Sequence, residues 1–177
     1  VIDFTLAISS NKGADILANA AEPAIRAKFP DAPGAGSAVW RMNDLVQKLG
    51  LTHTYFLNDN GLDESRMQAG AFGSARDIAA RFAYAASTSP ATFTATTKQS
   101  FKITSVDGAE TSAINTDEAL PQIPGIIMGK TGYTDLAGGN LAVVFTSGGH
   151  RIVAVVLGST QSGRFEDMTS LVAITEK

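Results

Sequence analysis

GIIMGKTGYT, residues 125–134, is the segment that decides how the rest of this chain is interpreted. Its first half is apolar, which is typical of a buried strand, and a cation, a hydroxyl and a glycine follow directly. Lys130 can hold an anion, Thr131 can donate and accept a hydrogen bond, and Gly132 lets a ligand come close to the backbone. The segment therefore predicts a strand edge that recognises a carboxylate.

Two other interpretations of this segment have to be weighed. A phosphate-binding P-loop needs a glycine six residues before its lysine, and that position is Pro124. A P-loop also continues as a helix, which Gly132 and the glycines at 138 and 139 disfavour. Nucleotide binding is therefore disfavoured, whereas a plain turn at the end of a strand stays open at this point.

Composition narrows the class of protein. At 177 residues the chain fits one domain, and 44% hydrophobic with 18% charged residues is ordinary for a globular protein. A net charge of −3 and a pI near 5.3 give no support for a nucleic-acid partner. The absence of cysteine excludes disulfides and thiolate catalysis, and the two histidines, His53 and His150, are far apart. We therefore expect no metal site and no cofactor.

The first half of the chain predicts mostly helices. Residues 1–8 fit either a strand or one face of a helix. Amphipathic spacing predicts a helix over about 12–21, and prolines and glycines predict a loop over 23–36. A second helix is predicted over about 37–49, with Gly50 as its stop.

The second half changes from helical to strand periodicity. A capping box at Ser74 and Asp77 predicts a third helix that ends before Pro90. Alternating residues around Asp107-Gly108 predict a hairpin. A strand that ends at Thr131 comes next, followed by two apolar strands and a closing helix at 141–145, 152–157 and 165–174. Helices followed by an antiparallel meander and a last helix predict an α+β architecture.

Two distant groups of residues, Ser9-x-Asn11 and Lys130-Thr131-Gly132, together resemble active-site elements of serine penicillin-recognising enzymes. Further matching words occur in the same order and spacing, namely RMN at 41–43, NGL at 60–62, SARDIA at 74–79 and AGGNL at 137–141. The chain resembles the low-molecular-mass penicillin-binding proteins of the serine-type D-alanyl-D-alanine carboxypeptidase family. This resemblance implies a penicillin-binding-protein/β-lactamase-like fold with an antiparallel sheet flanked by helices.

The resemblance also implies roles for individual residues. Ser9 would pass a proton between the catalytic lysine and the leaving amine, and Asn11 would hydrogen-bond the substrate amide. Lys130 would supply positive potential beside the reacting groups. The alternative for Ser9 and Asn11 is helix capping without any catalytic role.

The same resemblance places substrate-binding groups on the strand and on the last helix. Thr131 would contact the terminal carboxylate of the substrate, with Gly132 beside it, and the backbone N–H of Tyr133 would donate to an oxyanion hole. Arg164 would engage the same carboxylate with its planar guanidinium. The alternative for Arg164 is a surface charge beside a helix start.

One part of the family pattern is out of place in this sequence. The family nucleophile is a serine in a Ser-x-x-Lys that precedes the Ser-x-Asn, and only eight residues precede Ser9. We therefore expect residues 1–177 to be the C-terminal majority of a single D,D-peptidase domain, inactive alone, without its N-terminal strands and nucleophile helix. Residues 9–12 do spell Ser-x-x-Lys, but they already fill the Ser-x-Asn position, which disfavours Ser9 as the nucleophile.

The resemblance finally implies an activity and partners. The whole enzyme would trim terminal D-alanine from peptidoglycan stem peptides in the cell envelope, and β-lactams would acylate it. Its other partner would be the missing N-terminal segment or a second polypeptide that carries Ser-x-x-Lys. The alternatives are a D,D-endopeptidase, a class A β-lactamase with Glu64 as deacylating residue, or a non-catalytic cell-wall-binding module.

Overall fold

A computed structural model of the chain describes residues 1–175. Its α-helices are α1 Ile2–Ile8, α2 Asn11–Lys28, α3 Ser37–Lys48, α4 Ala75–Thr88 and α5 Gly163–Ile174. Its strands are β1 Tyr55–Phe56, β2 Ala71–Phe72, β3 Ser100–Thr104, β4 Glu110–Ile114, β5 Ile126–Thr134, β6 Gly138–Ser147 and β7 His150–Ser159. Two short 3₁₀ segments, Pro90–Thr97 and Leu120–Gln122, complete the ordered elements of this range.

The central feature is a three-stranded antiparallel sheet in the order β5-β6-β7. The middle strand β6 is buried from Leu141 to Phe145, and α5 covers one face of the sheet with Phe165 and Met168. On the other face α4 packs Ala86 and Phe82 against Met128 and Val144. Helices thus cover both faces of an antiparallel sheet, which confirms the predicted α+β architecture.

Residues 126–134 of the segment 125–134 form strand β5 of this sheet. Lys130 pairs with Ala142 and Thr131 with Leu141, and β5 continues to Thr134. The interpretation as a turn at a strand end is therefore wrong, as is the predicted end of the strand at Thr131. Since β6 lies on only one side of β5, the site segment forms an edge of the sheet among residues 1–175.

The ambiguous start of the chain is helical. α1 buries Ala7 and Thr5 and packs against the 3₁₀ segment Pro90–Thr97. It meets α2 at Gly13, where an added Cβ would lie only 2.1 Å from the Thr5 hydroxyl oxygen. The two helices can therefore approach closely only because this position has no side chain.

The second helix is longer than predicted, because α2 passes through Pro23 and ends at Lys28. A proline removes one backbone donor from a helix, yet Pro23 is exposed, so water can reach the carbonyl that loses its partner. Beyond Pro23 the helix is held by Arg26, which donates to Glu22 at 2.9 Å and to the carbonyl of Gly34 at 3.0 Å. The predicted loop over 23–36 is thus confined to its second half.

The remaining predicted elements agree with the structure. α3 ends beside Gly50 at φ +70°, α4 ends before Pro90, and a hairpin turns at Asp107-Gly108. Only half of the capping box forms, since Ser74 Oγ accepts from the Asp77 N–H whereas Asp77 accepts from the His53 N–H at 2.8 Å. The predicted burial on both faces holds for β6, but β7 is mostly half-buried or exposed, which corrects that part of the prediction.

Candidate active site

Ser9 lies in the short junction between α1 and α2. Its backbone is left-handed, with φ 57° and ψ 48°, and it is the one non-glycine residue with positive φ in the range 1–175. The side chain that caps α2 is that of Ser10, whose Oγ accepts from the Gly13 N–H at 3.0 Å. Neither Ser9 nor Asn11 therefore supplies the side-chain cap of α2, although Ser9 is the C-cap of α1, where its backbone N–H donates to the carbonyl of Thr5. A left-handed residue is common at a helix C-cap, so the feature that marks Ser9 as a candidate functional residue is its hydroxyl, which no cap uses.

Lys130 meets Ser9 from the opposite side of the site. Its Nζ donates to Ser9 Oγ at 2.5 Å, across 121 positions of sequence, and to the carbonyl of Thr131 at 2.8 Å. The pKa of Lys130 is lowered from 10.5 to about 8, first by burial and second by the charge of Arg164. An amine with this pKa beside a hydroxyl can exchange a proton near neutral pH.

Thr131 is buried and is held by Thr116, a residue that the sequence did not single out. The two hydroxyl oxygens are 2.5 Å apart, and the Thr116 N–H donates to the carbonyl of Ala7 at 3.1 Å. Thr116 therefore connects β5 to the C-terminal end of α1, which Ser9 directly follows. Only its position after the hairpin distinguishes this threonine from the others in the sequence, so a single sequence gives no signal for it.

Arg164 is buried at the start of α5, so its interpretation as a surface charge is wrong. One guanidinium nitrogen donates to the carbonyl of Gly132 at 2.6 Å, and its Nε has no partner among residues 1–175. Nearby, Asp117 is buried with one carboxylate oxygen unpaired in the same range. Burial raises the pKa of Asp117, while the N–H of Ala119 and the charge of Arg164 oppose that rise. The cationic side chains of Lys130 and Arg164 and the buried carboxyl group of Asp117 thus lie near strand β5.

Gly132 leaves space for a ligand above the strand. A Cβ added at this position would meet nothing closer than Asn140 Cβ at 3.9 Å, so the glycine is not required by packing. Tyr133 beside it is 45% exposed, and Asn11 is exposed on the other side. These residues keep one stretch of β5 accessible from solvent.

All seven predicted site residues line one cleft of about 890 Å³, namely Ser9, Asn11, Lys130, Thr131, Gly132, Tyr133 and Arg164. Asn11 and Thr131 therefore share a cavity, although 120 positions of sequence separate them. Another part of the cleft wall, its apolar end, is lined mainly by apolar side chains, including Phe56, Phe72, Ile78 and Phe82, together with Arg81.

The loop between β1 and β2, residues 57–70, joins the two walls of this cleft. Asp63 accepts from the Thr134 hydroxyl at 2.9 Å and from the Leu136 N–H at 3.1 Å, both on the sheet side. Asn60 donates to Asp15 of α2 at 2.9 Å on the helical side. The loop therefore holds the helices and the sheet at a fixed separation.

Comparison with known proteins supports the same assignment. The profile of peptidase family S11, D-alanyl-D-alanine carboxypeptidase, matches residues 19–161. This chain belongs to that family. The D-alanyl-D-alanine carboxypeptidase DacB2 of Mycobacterium tuberculosis is 30% identical over 164 residues, which cover 92% of this chain and 51% of that protein. The chain thus spans about half the length of this carboxypeptidase relative.

Solved structures of the family superpose on most of the chain. Penicillin-binding protein D2 of Listeria monocytogenes in its ampicillin-bound form has a TM-score of 0.79 and 26% identity, covering 99% of this chain and 65% of that one. A D-alanyl-D-alanine carboxypeptidase from Mycobacterium tuberculosis gives 0.72 and 28%, covering 96% and 62%. These neighbours confirm the penicillin-binding-protein/β-lactamase-like fold.

No helix within residues 1–175 is long and apolar enough to cross a membrane. In the same part of the chain, no three His, Asp or Glu side chains converge in a group that could hold a metal ion.

Proposed function

We propose that this chain is the C-terminal majority of a serine D-alanyl-D-alanine carboxypeptidase domain that trims terminal D-alanine from peptidoglycan stem peptides in the cell envelope. The observation that carries the proposal is the bond between Lys130 and Ser9 beside Thr131 and Arg164 in one cleft. A hydroxyl, an amine with a lowered pKa and a second cation are what acyl transfer from a carboxylate-terminated peptide needs.

The substrate would enter along β5 with its terminal carboxylate at the cationic end of the cleft. Thr131 has a hydroxyl there, and Lys130 and Arg164 supply positive charge. A carboxylate bound beside them would favour the charged form of Lys130 and raise its pKa again. Binding would therefore leave Lys130 as a cation that can return a proton to Ser9.

The nucleophile would come from a polypeptide segment with Ser-x-x-Lys, either the N-terminal part of the domain or a second chain. Its serine would attack the carbonyl of the penultimate D-alanine, forming an acyl-enzyme as the bond to the terminal residue breaks. Ser9 would pass a proton to the departing amine of D-alanine. Asn11 and the Tyr133 N–H would orient the amide and the developing oxyanion. Water would then hydrolyse the acyl-enzyme.

Fluorescent penicillin tests the proposal in the full-length protein. We expect wild-type protein to be labelled, and we expect Lys130→Ala to slow labelling by at least about 100-fold because the charge that binds the carboxylate and the proton donor to Ser9 are both lost. Thermal unfolding should stay near that of the wild type. Absence of labelling in the full-length wild type would refute the proposal, and a large loss of stability would make Lys130 structural.

The chain of residues 1–177 alone should form no covalent penicillin adduct. Mass spectrometry that locates an adduct on Ser9 would contradict this expectation and identify Ser9 as a nucleophile. The class A β-lactamase alternative has no support from Glu64, which accepts from Asn58 at 2.6 Å and does not line the cleft.

A further inference from the structure

Arg81 is a charged residue on an otherwise apolar stripe of α4. The stripe follows helical spacing through Ile78, Arg81, Phe82 and Ala85. Phe82 and Ala85 pack against the sheet cluster around Met128, while Ile78, Arg81 and Phe82 line the apolar end of the cleft. The arginine therefore faces the cleft from a helix face that otherwise carries core residues.

The guanidinium of Arg81 has no anionic partner within residues 1–175. It lies 5.0 Å from the centre of the Phe56 ring, and neither a hydrogen bond nor a salt bridge is formed by it in this range. The Arg81 side chain is half-buried, and burial lowers its pKa. A desolvated cation is costly unless an anion compensates it.

The other arginines of the chain differ from Arg81 in this respect. Arg26 and Arg41 form salt bridges with acidic residues of their own helices. Arg151 and Arg164 donate to backbone carbonyls, and the remaining two, Arg66 and Arg76, are exposed to solvent. Arg81 alone combines partial burial with a free guanidinium in the described part of the chain.

We propose that Arg81 receives the carboxylate of an Asp or Glu carried by the polypeptide segment that fills the apolar end of the cleft and brings Ser-x-x-Lys to Lys130. This inference rests on the proposed function, which requires such a segment. A guanidinium that lies over Phe56 and donates no hydrogen bond among residues 1–175 has N–H groups free for the two oxygens of a carboxylate.

The character of the cleft favours a polypeptide segment over the substrate as the source of this carboxylate. The wall around Arg81 is formed by Phe56, Phe72, Ile78 and Phe82, and Phe72 is 48% exposed. A helix or strand with an apolar face would cover these rings, whereas a polar stem peptide would not. The terminal carboxylate of the substrate already has two other cations in the cleft, Lys130 and Arg164 beside Thr131.

The pairing would fix how the segment sits in the cleft. Apolar contacts alone are non-directional, so they would allow the segment to slide or rotate against α4. A single ion pair at Arg81 would select one register, and that register would place the nucleophilic serine beside Ser9 and Lys130. Arg81 is in this sense a positioning residue and not a catalytic one.

Thermal unfolding of the full-length protein tests the proposal with Arg81→Leu and its matched control Arg76→Leu on the exposed face of the same helix. Leucine fits the apolar stripe, so the sign of the change is informative. If a carboxylate pairs with Arg81, removal of the arginine leaves that carboxylate buried and uncompensated, and we expect Tm to fall by roughly 5–15 °C. Arg76→Leu should shift Tm by less than about 2 °C. An unchanged or higher Tm for Arg81→Leu would overturn the proposal.

A second set of variants identifies the partner. In the Arg81→Leu background, each Asp or Glu outside residues 1–177 is replaced by Leu, and we expect one of these changes to restore Tm and penicillin labelling. The proposal is refuted if none does, or if Arg81→Leu raises KM for a stem peptide while Tm is unchanged, since the carboxylate would then belong to the substrate. Tm requires no acylation, so the pairing is tested even where penicillin fails to label the wild type, a result that refutes the proposed function alone.

Discussion

Ser9 presents its hydroxyl to Lys130 from a left-handed backbone conformation, which costs an L-residue about 1 kcal/mol. Glycine adopts this conformation without that cost, whereas alanine does not. We therefore expect Ser9→Gly to be about 1 kcal/mol more stable than Ser9→Ala in urea denaturation, although both lack the hydroxyl. Both variants should lose penicillin labelling to a similar extent in the full-length protein. Equal stability of the two variants would show that the backbone at Ser9 is not constrained as described.

Lys130 should make the stability of the protein depend on pH in an unusual direction. Its folded pKa is about 8 and its ordinary value is 10.5, so below pH 8 the folded state holds a desolvated cation. Between pH 8 and 10.5 the unfolded state binds more protons than the folded state, and the stability contributed by this residue rises with pH. The full change is on the order of 3 kcal/mol.

The measurement compares the free energy of unfolding of wild type and Lys130→Met from pH 7 to 10.5. Methionine removes the charge and has a side chain of similar length. The free energy of unfolding of the wild type should therefore increase relative to that of the variant as pH rises. Lys98→Met, at an exposed position, should show a constant difference from the wild type. A constant difference for Lys130→Met as well would contradict the lowered pKa.

At the scale of elements, the α1–α2 crossing determines where Ser9 lies. The two helices touch at Gly13 and Thr5, and a Cβ on Gly13 would lie 3.0 Å from the Cβ and Cγ2 of Thr5 as well as 2.1 Å from its oxygen. Rotation of the threonine therefore cannot relieve the contact, and the helices would have to separate.

We expect Gly13→Ala to lower the free energy of unfolding by about 1–3 kcal/mol, since overpacking outweighs the helix propensity of alanine, which is worth about 1 kcal/mol. Penicillin labelling of the full-length protein should fall as Ser9 moves away from Lys130. Gly34→Ala is the control, because no atom lies within 4 Å of its added Cβ. Gly13→Ala with wild-type stability and labelling would show that the crossing does not position Ser9.

Elements with local signals were predictable from the sequence, and those decided by tertiary contacts were not. The capping serine Ser74, Gly50 and the Asp107-Gly108 turn each act within a few residues, so α3, α4 and the β3–β4 hairpin were correctly predicted. By contrast, α2 continues past Pro23, where Arg26 bonds Glu22 and the carbonyl of Gly34; the i,i+4 pair is visible in the sequence, but the bond to Gly34 beyond the helix end is not. The left-handed backbone of Ser9 is the C-cap of α1, and it could not be predicted because residues 1–8 fit a strand as well as a helix.

At the scale of the whole molecule, the site draws residues from the α1–α2 junction, β5 and α5. Residue chemistry pointed to Lys130, the resemblance to penicillin-binding proteins added others such as Arg164, and the structure places both in one cleft. Thr116 and Arg81 were missed because their importance lies in what surrounds them. One is bonded to Thr131, and the other is the unpaired cation of an apolar wall.

The loop of residues 57–70 should control the width of the cleft through Asp63. We expect Asp63→Ala to remove both bonds to the sheet side, to increase amide hydrogen exchange in this loop and to lower penicillin labelling several-fold in the full-length protein. Asp31→Ala, at an exposed position outside the cleft, is the matched control. Unchanged exchange in Asp63→Ala would show that the loop is held by other contacts.

Three partly exposed hydrogen bonds connect this loop to α2 and to the sheet, whereas the sheet itself is stabilised by a cluster of buried apolar side chains. On warming, surface hydrogen bonds break at a lower temperature than a packed core, so the three bonds of the loop would break first. The two walls of the cleft would then separate, while the circular dichroism signal of the strands would stay unchanged. The full-length protein would therefore lose penicillin labelling several degrees below its Tm. A ligand that contacts both walls of the cleft would raise the temperature of that loss.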